Sequence, residues 1–114
     1  MYRVMKRDGS MMEFHIAKIS NAITKAFEAV GRQYHPSVIE LLALRVTAEF
    51  EPKIRNDLIS VEDIQDCVER VLSEAGYSDV AKAYILYRKQ REKLRNVGST
   101  LLNYKELVNN YLRI

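Results

Sequence analysis

The hydrophobic spacing of this chain changes once within its first 30 residues, and that change limits which folds it can adopt. Two short runs, residues 2–7 and 11–16, are rich in strand-forming residues and are separated by Asp8-Gly9. Asp-Gly is a strong hairpin signal, because glycine accepts the positive φ that tight turns require. A lone hairpin is only marginally stable in water. The sequence therefore predicts an N-terminal β-hairpin that packs against other elements.

Segments with helical spacing follow the hairpin. Apolar residues recur at three- and four-residue steps over residues 16–30, and Gly31 is well placed to end that helix. A second helix begins at Pro36, since proline suits the first helical position, and ends before Pro52. Residues 53–59 are interpreted as a connecting loop.

Two further helices are marked by serine caps. Ser60 precedes a helix that closes at Ala75-Gly76, and Ser78 precedes another over residues 79–96. The outer face of the third helix is acidic, whereas the C-terminal half of the fourth is basic. The predicted class is α+β and mostly helical, with a short hairpin packed on a four-helix bundle.

The last 18 residues look like a connection to another domain. Val97-Gly98-Ser99 is predicted to break the chain, and apolar spacing over residues 100–113 predicts one more amphipathic helix. We therefore expect one domain over residues 1–96 and a linker helix over residues 97–114.

Bulk composition excludes several classes of protein. The 114 residues are 47% hydrophobic and 29% charged, which suits one globular domain, and the net charge of +3 is compatible with an anionic ligand. A single cysteine, Cys67, excludes an internal disulfide framework and favours a reducing, cytoplasmic location. No apolar run reaches the ~20 residues that a membrane-spanning helix needs.

The chemistry that remains is cationic. Lys6 and Arg7 precede the predicted turn, and Lys18 lies in the first turn of the first helix, where free N–H groups already favour an anion. Solvated surface lysines would explain the same pattern. His15 and His35 lack partners at metal-ligand spacing, and no catalytic motif is present, so we expect binding rather than catalysis.

Three blocks in order resemble a known family. These are VMKRDGSMMEFHIAKISNAITKAF, SVEDIQDCVERVL and VAKAYILYRKQREKLR, and the resemblance extends in order over roughly residues 3–95. They are similar to the ATP-cone domain at the N-terminus of many ribonucleotide reductases. The resemblance implies a domain that binds ATP or dATP with Mg²⁺ and sets the overall activity of a reductase by changing how its subunits assemble.

The resemblance also implies which residues contact the nucleotide. Lys6 and Arg7 would reach the phosphates, and Lys18 would bind phosphate from the helix start. The other implied contacts are a pocket-lining residue on the first strand, Val4; a polar residue, His15; a residue that packs on the base or sugar, Ile19; the adenine wall, Val61, Ile64 and Gln65; and three on the fourth helix, Tyr84, Arg88 and Lys89.

The chain departs from the family pattern at one position. Several members have an acidic residue where this chain has Met12, and Glu13 follows one position later. That residue helps to read the ribose or the metal in some members, so the resemblance does not extend to base and sugar discrimination or to a second nucleotide in the pocket.

Other functions fit parts of the pattern. A similar cone occurs in a nucleotide-controlled transcriptional repressor, but behind a four-cysteine zinc ribbon that does not precede Val4 here. A free-standing cone acting on a partner, and a helical interaction module without ligand, are further alternatives. The tail NYKELVNNYL is similar to the link before the catalytic barrel of the anaerobic reductase class, which favours that class.

Overall fold

The structure, a computed structural model, describes residues 2–101, with side chains as far as Arg91. Within these residues, four helices and a small sheet confirm the predicted α+β, mostly helical class. The elements in chain order are β1 (Arg3–Met5), β2 (Met11–Glu13), α1 (Ile16–Ala29), α2 (Pro36–Phe50), a 3-10 turn (Glu51–Lys53), β3 (Leu58–Ser60), α3 (Val61–Glu74) and α4 (Ser78–Leu101).

The predicted hairpin is confirmed, with strands shorter than the sequence runs. β1 and β2 pair antiparallel, with Val4 opposite Met12. The turn closes through Lys6 N–H donating to the Ser10 carbonyl at 2.8 Å and Gly9 N–H donating to the Lys6 carbonyl at 3.0 Å. Gly9 has φ +86°, a conformation that favours glycine. The turn therefore forms for the reason that the sequence indicated.

The prediction that residues 53–59 form only a loop is wrong, because they lead into a third strand. β3 pairs parallel to β1 on the side opposite β2, with Ile59 beside Val4. Asn56 and Asp57 have φ of +54° and +58°, so they form a two-residue turn of the kind that joins hairpin strands. Arg55 and Leu58 exchange both backbone hydrogen bonds across it, each at 3.0 Å. This turn directs the chain along β1.

Two helix ends follow the signals that the sequence predicted, whereas Ser78, the predicted cap of the fourth helix, is instead the first residue of α4. Ser60 Oγ accepts a hydrogen bond from Asp63 N–H at 3.1 Å, which fixes the start of α3. Arg32 N–H donates to the Phe27 carbonyl at 3.1 Å across Gly31, whose φ is +67°, and this contact ends α1.

The four helices enclose one core, and the sheet covers part of it. α1 and α3 each pack against both α2 and α4. Large fully buried side chains include Ile23, Phe27 and Leu72. The rings of Tyr2, Phe14 and Phe50 contact one another, two pairs edge-to-face, with ring centres 4.9, 5.5 and 5.9 Å apart, which attaches the sheet to α2. The sheet therefore has a fixed position relative to the bundle.

The predicted break at Val97-Gly98-Ser99 is wrong, since α4 continues through it to Leu101. A single glycine in a helix costs only about 1 kcal/mol, which a long helix tolerates. The remainder of the predicted linker helix, residues 102–114, lies outside the described residues. Among the helices that the structure describes, none is both long and apolar enough to cross a lipid bilayer.

Candidate functional site

A cavity of about 390 Å³ lies where the sheet meets α1, α3 and α4. Its volume is within the ~300–1,000 Å³ of typical small-molecule sites. β1 and β2 supply one wall, the first half of α1 a second, and α3 and α4 the remainder. The strand and helix contacts described above therefore position every wall of the cavity.

Nine of the twelve residues implied by the resemblance line this cavity. Four of them, Val4, Ile19, Ile64 and Tyr84, are also buried and belong to the hydrophobic core. The nine are Val4, Lys6, His15, Lys18, Ile19, Val61, Ile64, Gln65 and Tyr84. Residues separated by up to 80 positions in sequence thus meet at one site, as the resemblance implied.

Lys18 occupies the first turn of α1, where the backbone favours an anion. His15, the N-cap residue, makes no side-chain capping bond, and no acidic residue lies in that turn. The Lys18 ammonium lies 3.7 Å from the thioether sulfur of Met12, a weak acceptor. The contact with sulfur does not neutralise the lysine charge, so this end of the cavity attracts negative charge.

Two more cationic residues line the cavity, and the sequence reasoning did not assign them. Arg91 donates from Nη1 to the Tyr87 hydroxyl at 3.1 Å, and its guanidinium carbon lies 5.8 Å from the centre of that ring. The Lys25 ammonium lies 6.0 Å from the same ring centre. The spacing of Tyr84, Tyr87 and Arg91 along one helical face was the available signal.

Negative charge in the lining is limited to one described carboxylate. Glu13 Oε2 lies 3.8 Å from His15 Nε2, and both side chains are largely exposed. Four cationic side chains, from Lys6, Lys18, Lys25 and Arg91, line the same cavity as this single carboxylate. The cavity is therefore strongly electropositive and suited to an anion with several charges.

Three implied residues are not in the cavity lining. Arg7 pairs with Glu62 on α3, with 3.3 Å from Nε to Oε1. Arg88 donates to Asp66 at 2.8 Å and Glu69 at 2.9 Å. Burial alone would lower the pKa of Arg88, but these two hydrogen bonds raise it overall. Lys89 is exposed on α4.

The α3 wall carries a polar atom without a partner. Gln65 Oε1 is buried and makes no hydrogen bond with any described residue. Buried polar atoms of native proteins are nearly always paired, so such an atom in a cavity wall indicates a ligand donor. Burial also raises the pKa of the Tyr84 hydroxyl, which keeps this neighbouring wall uncharged.

Comparison with known proteins agrees with this geometry. A family model described as "ATP cone domain" matches residues 2–93. The chain belongs to the ATP-cone family. The family predicted from the three sequence blocks is thereby confirmed, and an ATP cone is a regulatory domain rather than a catalytic one.

The relatives of this ATP cone include ribonucleotide reductases of several kinds. The vitamin B12-dependent ribonucleoside-diphosphate reductase of Mycobacterium tuberculosis is 39% identical over 99 residues, covering 87% of this chain and 14% of the relative. The alpha subunit of ribonucleoside-diphosphate reductase from Chlamydia pneumoniae is 41% identical, covering 81% and 9%. The anaerobic ribonucleoside-triphosphate reductase of Haemophilus influenzae is 37% identical, covering 88% and 14%.

The ATP cone described here therefore spans only a small part of these relatives. Because all three kinds match with similar identity, the anaerobic class stays a prediction.

Proposed function

We propose that the cavity binds ATP or dATP as an allosteric ligand. The observation that carries the proposal is the convergence of Lys6, Lys18 and Arg91, from the hairpin turn, α1 and α4, on one cavity. Solvated surface lysines would have no reason to converge, whereas a triphosphate requires several cationic donors. Lys6 and Lys18 would bind phosphate oxygens, and Arg91 could bind one bidentately.

The adenine base would lie against α3. Val61 and Ile64 offer apolar surface for the ring faces. Gln65 Oε1 could accept a hydrogen bond from the exocyclic amine of adenine, which would satisfy its missing partner. Guanine carries a carbonyl oxygen at that position, so we expect weaker binding of GTP.

Magnesium would accompany the phosphates. Among the described residues, no group of three or more His, Cys, Asp or Glu side chains could hold a metal ion. Mg²⁺ commonly binds nucleotide phosphates with one or two carboxylates and retains several waters. Glu13 is the described carboxylate that could supply such a contact.

We further propose that the nucleotide controls a ribonucleotide reductase through assembly of its subunits. Support comes from the reductases that share this cone, of which the chain covers about one seventh or less. Residues 97–114 would then connect the cone to a catalytic domain. ATP and dATP would act oppositely if each favours a different assembly, and a coupling of ~1–3 kcal/mol would be ordinary. The single buried thiol of Cys67 fits a cytoplasmic location.

Calorimetric titration tests nucleotide binding directly. We expect heat with ATP and dATP and less with GTP. Lys18→Ala should weaken ATP binding by ~1.5–3 kcal/mol, because a hydrogen bond to a charged group is lost. Lys53→Ala is the matched control, since Lys53 is exposed and does not line the cavity. Absence of heat with every adenine nucleotide would refute the proposal.

The reductase proposal needs the full-length protein. Its activity should change when ATP is exchanged for dATP, and its sedimentation coefficient should change with it. The Lys18→Ala variant should lose both responses while keeping basal activity. An unchanged sedimentation coefficient alongside a nucleotide-dependent activity would exclude assembly as the mechanism.

A further inference from the structure

A second cavity, of about 400 Å³, lies in the groove between α1 and α4. Its lining is largely apolar and includes Ala26, Ala29 and Ala83. Val30 and Leu86 also line it and are exposed, Leu86 by 61%. No described element covers Leu86. Amphipathic helices of partner proteins dock in grooves of this kind.

The charges around this groove are mainly positive. Lys25 and Lys82 line it, and neither forms an ion pair within the described residues. Asp79 is the acidic residue in the lining, and its Oδ2 accepts a hydrogen bond from Arg32 Nε at 3.1 Å. A segment with apolar residues on one face and carboxylates beside them would complement the groove in both respects.

The groove and the nucleotide cavity share two residues. Lys25 and Tyr87 line both, and the Lys25 ammonium lies 6.0 Å from the Tyr87 ring centre. A flexible lysine can turn toward either cavity. One ammonium cannot neutralise a phosphate in the first cavity and a carboxylate in the groove at the same time. Ligands in the two cavities therefore compete for Lys25.

We propose that the α1–α4 groove docks an acidic amphipathic helix of a partner protein, and that nucleotide weakens this docking by drawing Lys25 into its own cavity. The regulatory half rests on the proposed nucleotide function, whereas the docking half does not. Competition for one exposed charge should weaken docking about two- to fivefold. Linkage requires the partner to weaken nucleotide binding by the same factor.

The apolar lining favours a protein segment over nucleic acid. Contacts to nucleic acids are made mostly by polar and cationic side chains to phosphate and sugar, and these would leave Leu86 without a partner. A leucine or phenylalanine of an amphipathic helix would cover it instead. The proposal therefore commits to an acidic helix.

A synthetic peptide tests the docking half without nucleotide. The probe is a helical peptide of about 15 residues, with leucines at i, i+3, i+4 and i+7 and glutamates beside them. The control peptide has lysines in place of the glutamates. Fluorescence anisotropy with the 114-residue chain should show binding of the acidic peptide only. Leu86→Ser should weaken it about tenfold, and this exposed site should tolerate the change.

Two lysine variants test the regulatory half. Lys82→Gln should weaken peptide binding two- to fivefold with or without ATP, because Lys82 lines only the groove. Lys25→Gln should weaken it similarly without ATP and should abolish the further effect of ATP. The pair is matched in charge and substitution, so only the shared position of Lys25 distinguishes them.

Several results would overturn the proposal. Equal binding of the basic peptide, tighter binding of duplex DNA, or no effect of Leu86→Ser would overturn docking of an acidic helix. Self-association that requires Leu86, measured by sedimentation, would assign the groove to a second copy and would also overturn it. Heat from ATP with unchanged peptide affinity would overturn the regulatory half alone. Peptide binding without any ATP heat would refute the nucleotide function and leave docking intact.

Discussion

Arg88 on α4 has two possible roles, in nucleotide binding or in stability, and the two make opposite predictions. The family resemblance implies that Arg88 contacts the nucleotide, whereas its guanidinium donates to Asp66 and Glu69 on α3 and lies outside the cavity lining. Arg88→Gln removes the charge and shortens the side chain. We predict that this variant loses stability and keeps its affinity for ATP.

The expected loss follows from the exposure of the three side chains. Arg88 is only 16% exposed and Glu69 27%, so their hydrogen bond is partly shielded from water and should contribute about 1.5 kcal/mol. Asp66 is 55% exposed, and its pair with Arg88 should contribute about 0.5 kcal/mol. The variant should therefore lose about 2 kcal/mol of unfolding free energy.

Urea unfolding measures this loss. At an m-value of ~1–1.5 kcal/mol/M, typical of small proteins, the midpoint should fall by about 1.5 M. Combining Arg88→Gln with Glu69→Gln should give a coupling of about 1.5 kcal/mol, because the two residues share one hydrogen bond. Arg70→Gln is the control, since Arg70 forms an exposed pair with Glu49 at 3.6 Å and should cost under about 1 kcal/mol.

The opposite pattern would refute this reasoning. The unfolding free energy of Arg88→Gln could lie within about 0.5 kcal/mol of the wild type, while calorimetry shows a tenfold loss of ATP affinity. In that case Arg88 contacts the ligand, and its ion pairs with α3 are dispensable. The affinity must be measured where both proteins are fully folded, because partial unfolding also lowers apparent affinity.

Three further predictions concern the fold and use urea midpoints. Asp57→Val should cost about 1–2 kcal/mol, because a β-branched residue is strained at φ +58°, whereas Asp57→Gly should not. Ser60→Ala should cost about 1 kcal/mol through loss of the α3 cap, and Ser60→Asp should restore it. The hydrogen bond from Arg32 lowers the pKa of Asp79, so its stabilisation is complete above the unfolded value near ~3.9 and is lost as pH falls through the folded pKa. Asp79→Asn should therefore destabilise the protein at pH 7 and match the wild type in strong acid.

Periodicity predicted the helices well because each carries a continuous apolar stripe of three to four turns. It missed β3 because three residues are too few for an alternating pattern to be recognised. The turn at Asn56-Asp57 was the available signal, since both residue types tolerate positive φ. The break predicted at Gly98 was wrong because one glycine lowers helix propensity without ending a helix whose neighbours favour it.

The residues that line the cavity could be predicted from the sequence mainly through the family resemblance. Val4, Ile64 and Tyr84 would be buried in any packing of this strand and these helices, so their spacing alone could not distinguish a pocket wall from core. The cations near the N-terminus were more informative, because a charge at a helix start has a physical consequence even before the fold is known.

In the basic half of α4, helix geometry alone predicts that Arg88 and Arg91 point in different directions. With about 100° per residue, Arg88 is rotated about 40° from Tyr84 in one direction, and Arg91 about 20° in the other. Since α4 packs against both α1 and α3, these opposite rotations direct the two arginines to different neighbours. The acidic face of α3 pairs with Arg88, and Arg91 is left for the cavity. Complementary charge on the neighbouring helix therefore decides which arginine can serve a ligand.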